Sequence, residues 1–267
     1  MHDTLPTLLL SGKRALVTGI NREIGAAIAQ TLAHAGCRVV GGYYGEYDRV
    51  APLLHTTYAN HGHLEAVEAD LTQVSEHQRL VGEAVTRLGG IDIYVANAGV
   101  TVFGPLAQMT EAEWDTVFNL NVKSTYFGTQ AVANQMLTQH HGGRIIFSSS
   151  VTGIAAMAGG SIYGTSKAAL RHMAANLGVE LGQHGITVNA IAIGATLNDR
   201  NVADDPDYAT TWQQLSPVGR VGYPADVANT VLYLCSPLAE LVNGQTLVID
   251  GGWTHTVPIR QAGIEPR

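Results

Sequence analysis

Short apolar runs alternate with helical stripes along most of this chain, and that alternation predicts its architecture. Arg14-Ala15-Leu16-Val17-Thr18 is a β-type run. It breaks at Gly19-Ile20-Asn21-Arg22-Glu23-Ile24-Gly25, and AAIAQTLAHAG follows with the apolar spacing of a helix that stops at Gly36. A second strand is expected at Val39-Val40, completing a strand–helix–strand unit. Residues 47–60 predict a helix, and His63–Ala69 a strand ending at Asp70-Leu71. Residues 75–88 predict the next helix, and Ile91–Ala96 a strand that ends in Asn97-Ala98-Gly99. One long helix is expected from Glu111 to about His140, with Trp114, Val117, Phe118 and Asn121 near one face. After a strand at 144–149, Leu170, Met173, Leu177 and Leu181 form a stripe at helical spacing. Ile186–Ile193 is a strand, Pro224–Cys235 a short helix, and Gln245–Asp250 a last strand before Gly251-Gly252.

Seven strands, mostly separated by helices, define an α/β protein with one doubly wound parallel sheet and helices on both faces, a Rossmann fold. No repeat, linker or low-complexity tract divides the chain. A single domain over residues 1–267 is expected, with a core of about 12–252 and a short tail at 253–267. The stretch from Gly194 to about Val221 lacks a strand pattern and reads as a lid over a site.

Composition narrows the function. Asp and Glu number 22 against 15 Lys and Arg, a net charge of -7 with no basic stripe, which argues against nucleic acid as a partner. Cys37 and Cys235 both lie in apolar contexts, so a reducing cytoplasm is expected rather than a disulfide framework. No apolar run approaches the length of a membrane span, and no signal peptide is evident. The paired histidines His61/His63 and His140/His141 fall in polar, loop-like stretches and predict no metal site.

The candidate chemistry lies in Ser150–Lys167, SVTGIAAMAGGSIYGTSK. Tyr163 and Lys167 are four residues apart, so a helix stacks them on one face, and Ser150 sits at the end of a buried strand. Such a set suits proton transfer to a carbonyl oxygen. A free tyrosine titrates near 10; a neighbouring ammonium stabilises the phenolate, while a serine hydroxyl holds the oxygen. On its own the pair reads equally well as a surface tyrosine packed under a lysine stem. What favours chemistry is position. Gly19 to Gly25, Asp70, Asn97 to Gly99, Ser150 and Gly194 each follow a predicted strand, and ligands bind at the carboxyl ends of strands in open parallel sheets. The first glycine turn would receive a dinucleotide pyrophosphate against a helix N-terminus.

With these residues in place, the sequence resembles the short-chain dehydrogenase/reductase family from about Gly12 to Gly252, and within it the 3-oxoacyl-carrier-protein reductase branch, whose ending GRVGYPADVANTVLYLCSP…GQTLVIDGG matches. The resemblance implies hydride transfer between a nicotinamide cofactor and a small-molecule carbonyl or secondary alcohol. It makes Tyr163 the acid-base, Ser150 the holder of the substrate oxygen, Lys167 the partner of both tyrosine and nicotinamide ribose, and Asn121 the holder of a relay water. It assigns Thr18, Gly19, Asn21, Ile24 and Gly25 to the phosphate side, Asp70 and Leu71 to the adenine, and Asn97-Ala98-Gly99, Gly194 and Thr196 to the rest of the cofactor. It also implies a homodimer or homotetramer through the helices at 111–140 and 161–182. Ser148 and Ser149 read as strand-end polarity.

Three positions depart from the family pattern: Glu23 stands for the middle glycine, Ile193 for a proline before Gly194, and Ala96 for the first of two asparagines. Glu23 is expected to turn away from the phosphates, since an acid suits a first helical turn. The second strand ends at Gly41-Gly42-Tyr43-Tyr44 with no acid at Tyr43, and Arg22 is a base beside the turn. That pattern favours NADP(H), with NAD(H) as the alternative. A catalytically silent dinucleotide-binding regulator is the competing function, opposed by the intact Asn121, Ser150, Tyr163 and Lys167. A halohydrin-type lyase fits less well, because Lys167 is retained.

Overall fold

The computed structural model describes residues 9–256; the expected tail beyond 256 and the first eight residues lie outside that range. The expected strands form one parallel sheet. Its strands are β1 (Arg14–Thr18), β2 (Arg38–Tyr43), β3 (His63–Glu68), β4 (Ile93–Ala96), β5 (Gly143–Ser150), β6 (Ile186–Ile193) and β7 (Thr246–Ile249). They lie in the order 3-2-1-4-5-6-7. The order reverses between β1 and β4, so a crevice opens at their carboxyl ends, where such sheets bind ligands.

Two apolar layers hold the helices. On one face α1 (Glu23–His34), α2 (Tyr47–Ala59) and α9 (Pro224–Cys235) bury Ile28, Leu32, Val50, Leu53, Val227, Val231 and Leu234. On the other, α3 (Val74–Leu88), α5 (Ser124–Gln139) and α6 (Ser161–Gly182) bury Leu80, Val81, Val132, Met136, Leu170 and Ala174. The central strands are apolar on both sides, as a doubly covered parallel sheet requires: every residue of β4 is buried. At the opposite end from the crevice, Asp92 ties β1 to β4. Its carboxylate accepts from the Arg14 backbone N–H at 2.9 Å and from the guanidinium at 2.8 Å on each oxygen.

Four departures from the sequence expectation have a local reason or add structure. β2 runs from Arg38 to Tyr43 because β3 pairs with it along its length and β1 as far as Gly42. β4 starts at Ile93, not Ile91, because the Gln139 side chain takes both the N–H and the C=O of Ile91. The long helix from Glu111 is not continuous. It runs as α4 (Glu111–Phe118), a π-helical turn at Asn119–Lys123, and then α5. The expected single face is not uniformly buried: Val117 and Asn121 are buried, while Trp114, one turn before the π-helical segment, is 45% exposed and stacks on Phe118. Finally, the stretch after β6 contains α7 (Asp199–Asp204) and α8 (Tyr208–Leu215), and Thr196 forms an isolated parallel bridge with Gly222.

Candidate active site

The crevice collects the residues singled out from the sequence. Ser150 is the last residue of β5, and Tyr163 and Lys167 lie in the first turns of α6. Lys167 is 5% exposed; its Nζ lies 5.6 Å from the Tyr163 ring centroid and donates to the Ser148 carbonyl at 2.8 Å. Burial pushes the Lys167 ammonium below its ordinary pKa, an effect that its electrostatic interaction with Tyr163 opposes only in part. The Ser149 hydroxyl donates to the Lys167 carbonyl at 2.7 Å, clamping α6 onto β5. Ser148 and Ser149 are therefore more than strand-end polarity: the Ser149 hydroxyl holds the α6 backbone and the Ser148 hydroxyl donates to Asn97 Oδ1 at 3.1 Å, while the carbonyl that Ser148 offers Lys167 is one any residue there would supply. A run of three serines closing an apolar strand was the available signal.

Ser150 Oγ accepts from the Thr152 N–H at 3.2 Å and the Thr152 hydroxyl at 3.0 Å, which leaves its own proton to donate outward. Asn121 sits in the π-helical turn, fully buried, with every side-chain group engaged. Its Oδ1 accepts from Val100 N–H at 2.8 Å, and its Nδ2 donates to Val100 O at 2.9 Å and Ser166 Oγ at 3.1 Å. The side chain thus straps down the loop after β4. A Cβ added at Gly99 would lie 3.0 Å from Asn121 Oδ1 and 3.4 Å from Lys167 Nζ, so these two groups face the same backbone. Phe103, half exposed, meets the Tyr163 ring edge-on at 5.4 Å.

Asn97 staples three strand ends together. Its Nδ2 donates to Thr18 O at 3.1 Å, its Oδ1 accepts from Ser148 Oγ at 3.1 Å, and its N–H donates to Thr18 Oγ1 at 3.0 Å, as does that of Ala98. The Thr18 hydroxyl, assigned from sequence to the phosphate side, is instead turned inward onto this staple. Leu71 likewise places its side chain in the core. Asp70 caps its own turn: Oδ1 accepts from Thr72 N–H and hydroxyl at 3.1 and 2.7 Å, and no described residue donates to Oδ2. Gly194 is fixed by its N–H to Ile249 O at 2.9 Å and has no room for a Cβ against Asp250. The Thr196 hydroxyl donates to Gly194 O at 3.1 Å.

The glycine turn fits a dinucleotide. Gly19 has φ +74°, and a Cβ on Gly25 would run into the Gly19 carbonyl. No side chain caps the N-terminus of α1, so the first-turn N–H groups, Ile24 among them, remain for an anion. Around this turn lies a set of charges. Arg22 Nη2 pairs with Glu46 at 2.9 Å, and Asn21 Nδ2 donates to the same carboxylate oxygen at 3.1 Å. Glu23 turns away from the turn, with Oε1 3.5 Å from Arg49 and 3.3 Å from the Asp199 N–H that donates to it.

A doubly wound crevice with a glycine-turn anion site and a Ser–Tyr–Lys cluster defines a dinucleotide-dependent enzyme of carbonyl–alcohol interconversion as a class. The comparisons agree. A family model described as enoyl-(acyl carrier protein) reductase matches residues 19–254. The 2-dehydro-3-deoxy-D-gluconate 5-dehydrogenase of Dickeya dadantii is 36% identical over 93% of this chain and 98% of its own. A short-chain dehydrogenase from Burkholderia cenocepacia in complex with NADP superposes with a TM-score of 0.85 at 34% identity, covering 92% of this chain and 99% of that one. A 7α-hydroxysteroid dehydrogenase complexed with NADH and a 7-oxo bile acid superposes at 0.87 with 35% identity, covering 93% and 97%. The chain belongs to the short-chain dehydrogenase/reductase family and is an oxidoreductase of that family. Among the described residues no helix is long and apolar enough to cross a membrane, and no cluster of metal-binding side chains occurs.

Proposed function

We propose that this enzyme interconverts a small-molecule carbonyl and the corresponding secondary alcohol, with Tyr163 as acid-base and NADP(H) as the favoured cofactor, NAD(H) being the alternative. The observation that carries the reading is Lys167: a buried ammonium held by the Ser148 carbonyl beside the Tyr163 ring. When bound, the nicotinamide supplies or removes the hydride. The chain supplies the rest. The Ser150 hydroxyl, with Thr152 donating into its lone pairs, donates its own proton to the substrate oxygen. Tyr163 gives a proton to that oxygen in reduction and takes it in oxidation. The positive charge of Lys167 stabilises negative charge developing on the phenol oxygen. Asn121 holds the loop at Val100 against α6.

The N-terminus of α1 with Gly19 and Gly25 would hold the pyrophosphate, Asp70 the adenine, and Asn97–Gly99, Gly194 and Thr196 the nicotinamide side. Arg22 at the turn, with no acid at Tyr43, supports NADP(H). Exposed Trp114, Tyr126 and Val179 on α4, α5 and α6 support a homodimer or homotetramer through those helices. Two buried thiols support a reducing, cytoplasmic setting. The test is absorbance at the nicotinamide band with both cofactors and a panel of ketones, 3-oxoacyl thioesters and polyols. Turnover that survives Tyr163→Phe would refute the assignment, and cofactor binding without turnover of any substrate would favour the regulator.

A further inference from the structure

We infer that the substrate is an uncharged carbonyl compound with an aromatic body, which rests on Phe103 and Met157 while its carbonyl reaches Ser150 and Tyr163. This rests on the carbonyl–alcohol reading above and goes beyond it in naming the substrate class.

Only the carbonyl has to meet the Ser150 hydroxyl and the Tyr163 phenol; the rest of the substrate lies on whatever borders them. Two loops do so, residues 100–109 after β4 and residues 151–160 after β5. Neither contains an Asp, Glu, Lys, Arg or His. The loops are joined, because the Gly104 N–H donates to the Gly159 carbonyl at 3.0 Å. Phe103 and Met157, one from each loop, converge on Gly160 at the start of α6. A Cβ there would lie 3.0 Å from Met157 Cγ and 3.7 Å from Phe103 Cε1. Gly160 is three residues before Tyr163, and the Phe103 ring already touches the Tyr163 ring. Both side chains are large and apolar, yet they are 50% and 46% exposed. An uncovered apolar pair fixed beside the phenol is a surface for an apolar part of the substrate. The phenylalanine favours a second aromatic in offset or edge-to-face contact, and a thioether sulfur is a good neighbour for a ring.

Charge points the same way. Of the cations on the surrounding elements, Lys167 is held by the Ser148 carbonyl and Arg171 donates to the Gly153 carbonyl at 2.6 Å. Arg220 gives both Nη groups to Asp226 at 2.7 Å. The segment 195–221 after β6 adds Asp199, Asp204, Asp205 and Asp207 against Arg200 and Arg220. A carboxylate or phosphate on the substrate would lose water against Phe103 and Met157 and gain no counter-charge. A polyol fares little better, since its hydroxyls would find no partner on these two side chains.

The test compares four ketones that vary ring and charge separately: ethyl benzoylacetate, benzoylacetate, ethyl acetoacetate and acetoacetate. Each is reduced by wild type with saturating NADPH or NADH. For ethyl benzoylacetate kcat/KM should exceed that of ethyl acetoacetate, which lacks the ring, and of benzoylacetate, which adds charge, by about tenfold or more in each case. Phe103→Ala should bring the ring preference down toward one, a ratio that a general loss at Tyr163 would not move. Met157→Lys should raise kcat/KM for benzoylacetate about tenfold at low salt, and the gain should shrink as salt screens the new charge. Carboxylates turned over as well as their esters, no preference for the ring in wild type, or an unchanged ring ratio in Phe103→Ala would overturn the inference and leave the carbonyl–alcohol reading standing. So would turnover confined to polyols or acyl thioesters. No turnover of any carbonyl or alcohol would overturn both.

Discussion

Around Tyr163 and Lys167 the polar groups are buried or half-buried and paired to backbone and neutral side chains, whereas around Arg22 and Glu46 exposed charges pair with one another. At the catalytic corner, Ser148, Ser149, Asn121 and Asn97 each bond to strand ends or to α6. Losing any partner there would leave a desolvated group unsatisfied, so the geometry is over-determined. At the nucleotide corner, Arg22, Glu46, Arg49, Glu23 and Asp199 form a chain of ion pairs in contact with water. Exposed pairs are cheap to rearrange. The first corner holds its atoms in fixed places, and the second can rearrange at little cost.

Substitution at the catalytic corner should give the largest effects. Tyr163→Phe removes the proposed acid-base and should lower kcat by about 10²–10⁴-fold, with cofactor affinity measured by fluorescence titration nearly unchanged. A loss shared equally between kcat and cofactor affinity would mean that the ring positions the cofactor instead.

Asn97→Ala tests whether the staple is as over-determined as its bonds suggest. It strands the Ser148 hydroxyl and the Thr18 carbonyl in a half-buried site and should cost about 1–3 kcal/mol of unfolding free energy. The buried Arg14–Asp92 pair at the far end of the sheet provides the matching charged case. Burial alone would raise the Asp92 carboxyl, but the hydrogen bonds and charge of Arg14 hold it below the usual carboxylate range, with His141 3.5 Å away adding to this. A carboxyl depressed in the folded state contributes stability that is present above its unfolded value and lost as pH falls through the folded one. Wild type should therefore lose stability below about pH 4 more steeply than Asp92→Asn, which should itself be weaker by about 2–4 kcal/mol at neutral pH. Parallel acid profiles for the two would remove Asp92 from the account.

At the nucleotide corner, Arg22→Ala should weaken NADPH by roughly tenfold or more and NADH much less, because a charge-assisted bond to phosphate is lost. Equal losses would assign Arg22 to the turn and not to the 2′-phosphate.

The same contrast explains what could be read from the sequence. Strands and helices were legible because burying both sheet faces writes long apolar periods, and the rim was legible because strand ends fix where side chains emerge. The π-helical turn at Asn119–Lys123 was not, since one extra residue in a turn leaves hydropathy almost unchanged. Ser148 and Ser149 looked like mere polarity because their hydroxyls bond to Asn97 and to the Lys167 carbonyl, partners 51 and 18 residues away. Glu46 escaped notice because its position depends on two left-handed residues that bring it back toward the turn, which counting along a strand cannot show.

Glu23 is the smallest and sharpest test of the comparison, because it stands in the glycine turn yet belongs to the ion-pair chain. A carboxylate facing the pyrophosphate would repel it. Instead its Oε1 lies near Arg49 and accepts from the Asp199 N–H, so it links the start of α1 to the start of α7, 176 residues on. The outward orientation favoured from sequence is thus matched in direction, with a partner that the sequence did not suggest. Glu23→Gly removes a favourable first-turn acid and adds backbone entropy, for a cost of roughly 0.5–1.5 kcal/mol. Cofactor affinity should barely change, and it should change equally little at low and high salt. If affinity rose clearly at low ionic strength alone, the carboxylate would be acting on the phosphates through water. The ion-pair chain would then oppose any bound dinucleotide electrostatically.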